Sequence, residues 1–115
     1  MADVTVWFNP RCSKCRTAQG ILAEKGVGAD YVRYLESAPS RNELERVLKM
    51  LGADDPMAIV RTGEDRWKEL GLDPADRDAV LNALAENPIL IERPIVIRDG
   101  RAVVARPPEK VLDLL

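Results

Sequence analysis

The chain has 115 residues, 46% of them hydrophobic, which is enough apolar side chain for one compact domain and too little length for a second. No apolar run approaches the ~20 residues that span a bilayer, and a formal net charge of -2 argues against a domain that holds nucleic acid directly through bulk electrostatics. Histidine is absent, which removes the usual general base and the usual nitrogen ligand of zinc, and two cysteines cannot close a zinc site, so no metal is expected.

Taken in order, residues 3 to 8 read as a buried strand, a short β-branched and aromatic run ended by Asn9-Pro10. Both cysteines follow at once, Cys12 and Cys15, in the stretch Asn9-Pro10-Arg11-Cys12-Ser13-Lys14-Cys15-Arg16. A helix is expected from Cys15 to Lys25, with Cys15, Ala18, Ile21 and Leu22 on one face and a stop near Gly26. A strand-to-helix junction is where a thiol becomes reactive: the unpaired N–H groups and partial positive charge of a helix start favour thiolate, and Arg11, Lys14 and Arg16 add full charges. With no secretory leader evident, a Cys-x-x-Cys pair suits a reducing compartment, and the cytoplasm is the expected location.

Residues 30 to 35 form a second strand, giving a βαβ unit whose two strands should be parallel. From Glu36 to Glu86 helical spacing takes over. Ser40-Arg41-Asn42-Glu43 fits a capping box in front of the stripe Leu44, Val47, Leu48 and Leu51, with Gly52 as the stop. Short helical segments are expected at Met57 to Val60 and Glu64 to Leu70, then a helix opened by Asp73-Pro74 that buries Val80, Leu81 and Leu84 and ends at Asn87-Pro88. Ile95-Val96-Ile97 and Ala102-Val103-Val104 flank Asp99-Gly100, a two-residue hairpin signal. Pro107-Pro108 opens a last helix with Val111, Leu112 and Leu115 expected to face inward. The order predicts an α/β fold with a four-stranded mixed sheet (β-α-β, helical insert at about 37–87, β-β-α) in a single domain over 1–115.

A Cys motif at the first strand-to-helix junction and a proline just before the third strand resemble the thioredoxin-like fold. The local strings resemble the glutaredoxin-coupled arsenate reductase family over almost the whole chain: Asn-Pro-x-Cys at 9 to 12, Tyr-Leu-Glu and Pro-Ser-Arg within 34 to 41, Arg61, Asn-Pro-Ile-Leu-Ile-x-Arg-Pro-Ile-Val at 87 to 96, and Arg106-Pro107. The resemblance implies a catalytic Cys12, an oxyanion held by Arg61, Arg93 and Arg106, and a cis Pro94 facing the cysteine. Ser13, in the loop whose N–H groups join in binding the oxyanion, is a further substrate-binding candidate, and Asn9 and Pro10 shape the loop.

Arginine suits arsenate because its guanidinium is always charged and donates paired hydrogen bonds to two oxygens. The implied reaction is attack of the Cys12 thiolate on arsenic, reaction of the adduct with glutathione as co-substrate, loss of arsenite and restoration of Cys12 by a glutaredoxin. No bound cofactor is expected. Two positions depart from the family: Phe8 stands where some members have histidine, and Cys15 is a cysteine that many lack. Cysteines at i and i+3 on a first helical turn lie near enough to pair, so Cys15 can serve in an internal disulfide, with thioredoxin as the reductant. Alternative readings on the same fold are an Spx-like redox switch that binds RNA polymerase through a Cys12-Cys15 disulfide, and a general thiol-disulfide reductase.

Overall fold

A computed structural model describes residues 3–115. Contacts divide the chain into two compact units, one holding everything up to Ser37 together with Arg93–Leu115, the other Ala38–Glu92.

The first unit contains strands β1 (Val4–Trp7), β2 (Ala29–Val32), β3 (Ile95–Arg98) and β4 (Arg101–Val104), with helix α1 (Ser13–Glu24) between the first two. The sheet order is β2-β1-β3-β4. β1 and β2 are parallel in the register Val4↔Ala29 to Trp7↔Val32, as a βαβ unit requires, and the other two pairings are antiparallel. β2 ends at Val32 because its partner ends at Trp7: the Phe8 N–H donates to the Val32 carbonyl at 2.8 Å, and the Arg33 carbonyl then accepts from Glu36 and Ser37, turning the chain. In the hairpin, Asp99 and Gly100 have φ of 50° and 73°, the left-handed pair that a two-residue turn between twisted strands needs.

Val4, Val6, Phe8, Cys15, Leu22, Val96, Ala105, Val111 and Leu114 form one buried cluster in this unit. Fully burying each large aliphatic chain is worth about 1.5–3 kcal/mol before the entropy of ordering it. The last helix corrects the expected pattern. Pro108–Leu114 is a 3₁₀ helix, whose three-residue turn lines up Pro108, Val111 and Leu114 as its buried row. Leu112 and Leu115, expected inside from α-helical spacing, are 42% and 41% exposed.

The second unit is helical: α2 (Arg41–Leu51), a 3₁₀ turn at Pro56–Ile59, α3 (Asp65–Leu70), α4 (Arg77–Glu86) and a 3₁₀ turn at Pro88–Leu90. The capping box at α2 is formed, since the Ser40 hydroxyl accepts from Glu43 N–H and the Glu43 carboxylate accepts from Ser40 N–H. Gly52, at φ 72°, ends α2. The start of α4 differs from expectation. Asp73 spends its carboxylate on the Ala75 N–H at 2.9 Å and its carbonyl on the Asp76 N–H, closing a turn, and Asp76 then caps the helix through the Ala79 N–H. Leu44, Val47, Leu48, Val80, Leu81 and Leu84 are buried as the periodicity predicts. A short antiparallel bridge, Val60↔Ile91, is flanked by Arg61 N–H to Leu90 carbonyl at 2.7 Å and Glu92 N–H to Ile59 carbonyl at 2.8 Å.

Candidate active site

The sheet register brings three chain segments to one end. Trp7↔Ile95 and Ile95↔Val104 are the terminal pairs, so Phe8-Asn9 leaving β1, Arg93-Pro94 entering β3 and Ala105-Arg106 leaving β4 all emerge at the same edge. The peptide bonds Arg93-Pro94 and Arg106-Pro107 are both cis, the first as the fold resemblance implies. The Ala105 N–H donates to the Pro94 carbonyl at 2.9 Å and Arg106 Nη1 to the Arg93 carbonyl at 3.0 Å, tying the two arginine-bearing segments together.

α1 starts at this edge. The Asn9 side chain accepts from Arg11 N–H at 3.0 Å and its carbonyl accepts from Cys12 N–H at 3.0 Å, so Asn9 and Pro10 form the turn that delivers Cys12 as the N-cap. Helix therefore begins at Ser13, two residues before the expected start. Ser40, Asp55 and Asp76 all cap their helices with side-chain oxygens, whereas Cys12 offers none and the first turn of α1 holds no acidic residue. Its positive end is left to an outside anion.

Cys12 is half-buried and Cys15 fully buried. The Cys15 thiol is pushed up to about 12, first by burial; a hydrogen bond to the Cys12 side chain and the Cys12 charge act in the same direction, while a backbone hydrogen bond at Asn9 and the charge of Arg106 oppose it. At neutral pH Cys15 is a thiol, held protonated first by its burial. Phe8 is a core residue that meets the Tyr31 ring edge-on at 5.2 Å.

Of the predicted arginines, Arg93 and Arg106 come together in the first unit with the cysteines, and Arg106 is near enough for its charge to act on Cys15. Arg93 Nε is buried and, among the described residues, has no hydrogen-bond partner. Arg61 lies in the second unit, held by the bridge beside Val60, with its guanidinium paired to Glu64. Sequence reasoning missed Glu64, although the i, i+3 spacing across Arg61-Thr62-Gly63-Glu64 was a usable signal. Nothing local marks the link between Arg106 and the Arg93 carbonyl. Among the described residues no group of three His, Cys, Asp or Glu side chains is arranged to hold a metal ion, and no helix is long and apolar enough to cross a membrane.

The family model described as ArsC family matches residues 7–114. An arsenate reductase of Neisseria meningitidis is 42% identical over 113 residues, covering 96% of this chain and 97% of that protein. One of Haemophilus influenzae is 40% identical over 115 residues, covering 98% and 99%. The solved structure of an arsenate reductase from Vibrio cholerae superposes with a TM-score of 0.93 at 41% identity, covering 99% of this chain and 98% of that one.

Proposed function

The chain belongs to the ArsC family, and on that premise we propose that it is a thiol-dependent oxidoreductase that reduces arsenate to arsenite. Cys12 is the nucleophile. Its place at an uncapped helix start, at the sheet edge where the segments carrying Arg93 and Arg106 also emerge, is the observation that supports this most directly. Arsenate carries up to two negative charges at neutral pH, and this end of the fold offers what such an ion needs: unpaired first-turn N–H groups, including that of Ser13, and the free Nε donor of Arg93.

The thiolate of Cys12 attacks arsenic while the guanidinium groups of Arg93 and Arg106 hold the oxygens. Charge moves from sulfur toward the arsenate oxygens, so donors already fixed at the oxygens stabilise the transition state more than the ground state. The resemblance also assigns Arg61 to the oxyanion; within the second unit its guanidinium is paired to Glu64. The electrons come from glutathione with glutaredoxin or from thioredoxin, both cytoplasmic thiol systems. Three relatives with 40–42% identity carry the name arsenate reductase, which favours an enzyme over a polymerase-binding switch of the same fold.

The test is arsenite production by purified protein with glutathione plus glutaredoxin, and separately with thioredoxin plus its reductase. Wild type turns over in at least one system and Cys12→Ser loses more than about 10³-fold in kcat. Wild-type inactivity in both refutes the reading.

A further inference from the structure

We propose that Cys15 is the resolving thiol of this site: it attacks the Cys12 sulfur of the arsenate adduct, expels arsenite, and leaves a Cys12–Cys15 disulfide for a dithiol reductant to open. The proposal rests on the arsenate reading above and adds the route by which the electrons arrive.

Geometry carries it. Cys12 is the N-cap of α1 and Cys15 is N3, three residues on, where side chains of one helical turn are neighbours. Cys12 packs against the buried cluster that contains Cys15. Access is graded in the matching sense, with Cys12 half-buried and Cys15 at 0% exposure in the core cluster. Arsenate and an external reductant therefore meet Cys12, whereas only a group bonded to Cys12 meets Cys15.

The same contacts set the order of events. While Cys12 is free, its charge and its acceptor role both help keep the proton on Cys15. Bonding Cys12 to arsenic removes that charge and weakens the sulfur as an acceptor. Burial is then opposed by the Asn9 backbone hydrogen bond and the Arg106 charge, which both favour the Cys15 thiolate. Loading Cys12 thus removes two of the three influences that hold the proton on Cys15, burial remaining the largest.

The chemistry balances. In the first step the S–As bond forms and one arsenate oxygen leaves as water. In the second, Cys15 loses its proton to solvent and attacks Cys12; the S–S bond forms, and the S–As bond breaks with its electron pair passing to arsenic, which goes from As(V) to As(III). Two thiols have been oxidised, and an external dithiol returns the two electrons by exchange at the accessible Cys12 sulfur.

The experiment is a single turnover. Full-length protein is reduced, freed of reductant, mixed with arsenate and assayed for arsenite, free thiols in denaturant, and the mass loss of an intrachain disulfide. Wild type is expected to release close to one arsenite per chain with loss of both thiols. Cys15→Ser and Cys15→Ala are expected to release less than about a tenth of that until glutathione is added. Wild type that turns over with glutathione but releases no arsenite without it overturns the proposal and leaves the arsenate reading standing. So does a Cys15 variant that matches wild type in the reductant-free reaction. Failure of wild type with every reductant overturns both. Because the wild-type burst is itself decisive, poor folding of a variant does not blunt the test.

Discussion

Replacing Arg93 by Met should move activity and stability in opposite directions. Arg93 Nε is buried and, among the described residues, without a hydrogen-bond partner, so the folded protein bears the desolvation of that one guanidinium N–H. An unsatisfied buried donor costs about 1–3 kcal/mol, more where charge is involved, and methionine fills similar space with no polar atom. The Arg93 carbonyl that anchors Arg106 is backbone and survives the change. Unfolding free energy should therefore stay level or rise, by up to about 1–3 kcal/mol. For arsenate, the same substitution removes a charge-assisted hydrogen bond worth about 1.5–3 kcal/mol, which is roughly a 10- to 150-fold fall in kcat/KM. Arg93→Lys should recover only part of it, since an ammonium keeps the charge and lacks the planar fork. Urea unfolding at pH 7 and steady-state arsenite production measure the two effects on one preparation. A destabilisation of more than about 1 kcal/mol with kcat/KM unchanged would refute the reasoning, because Arg93 would then be a structural residue.

Arg106→Ala should lower both quantities, the hydrogen bond to the Arg93 carbonyl contributing about 0.5–1.5 kcal/mol or somewhat more for a charged donor; an unchanged urea midpoint would count against that anchor. Cys15 is held up at about 12 from an ordinary value of 9.0, so below pH 9 both states carry its proton, and between those values the unfolded chain has lost it while the folded chain keeps it. Wild-type stability should therefore fall across that window more steeply than that of Cys15→Ala, and parallel urea midpoints at about pH 8 and about pH 10.5 would contradict the burial effect. Ser40→Ala opens the capping box and should cost about 1 kcal/mol in urea unfolding with little change in kcat; a loss under about 0.3 kcal/mol would mean the box is idle. Glu64→Gln breaks the ion pair with Arg61 within the second unit and should cost under about 1 kcal/mol in urea unfolding; a larger loss would make the pair a structural anchor.

Much of the fold was readable because its signals are local. Ser40-Arg41-Asn42-Glu43, Gly52 and Asp99-Gly100 each satisfy or relax backbone groups within a few residues, and each does in the structure what its residue types require. The misreadings came where two local solutions were close in energy. Asp73 and Asp76 can both cap, and a hydrogen-bonded turn at Asp73 moved the helix start to Arg77. In the last segment, 3₁₀ and α-helical spacing share Val111 and diverge at the next turn, and the packing of Pro108 and Leu114 decided for a period of three.

At the candidate site, residue types alone pointed to a nucleophilic sulfur at a helix start, since a Cys-x-x-Cys between a strand and a helix has few other uses in so short a chain. What each group does with its partners depended on strand register. Pairing Trp7 with Ile95 and Ile95 with Val104 is what sets Asn9, Arg93 and Arg106, far apart along the chain, at one end of the sheet. Periodicity and capping act over a few bonds and can be read one residue at a time. The unsatisfied Nε of Arg93, the tether from Arg106 and the full burial of Cys15 exist only after distant segments have packed, because a group gains or loses its partners and its solvent according to what the folded chain brings beside it.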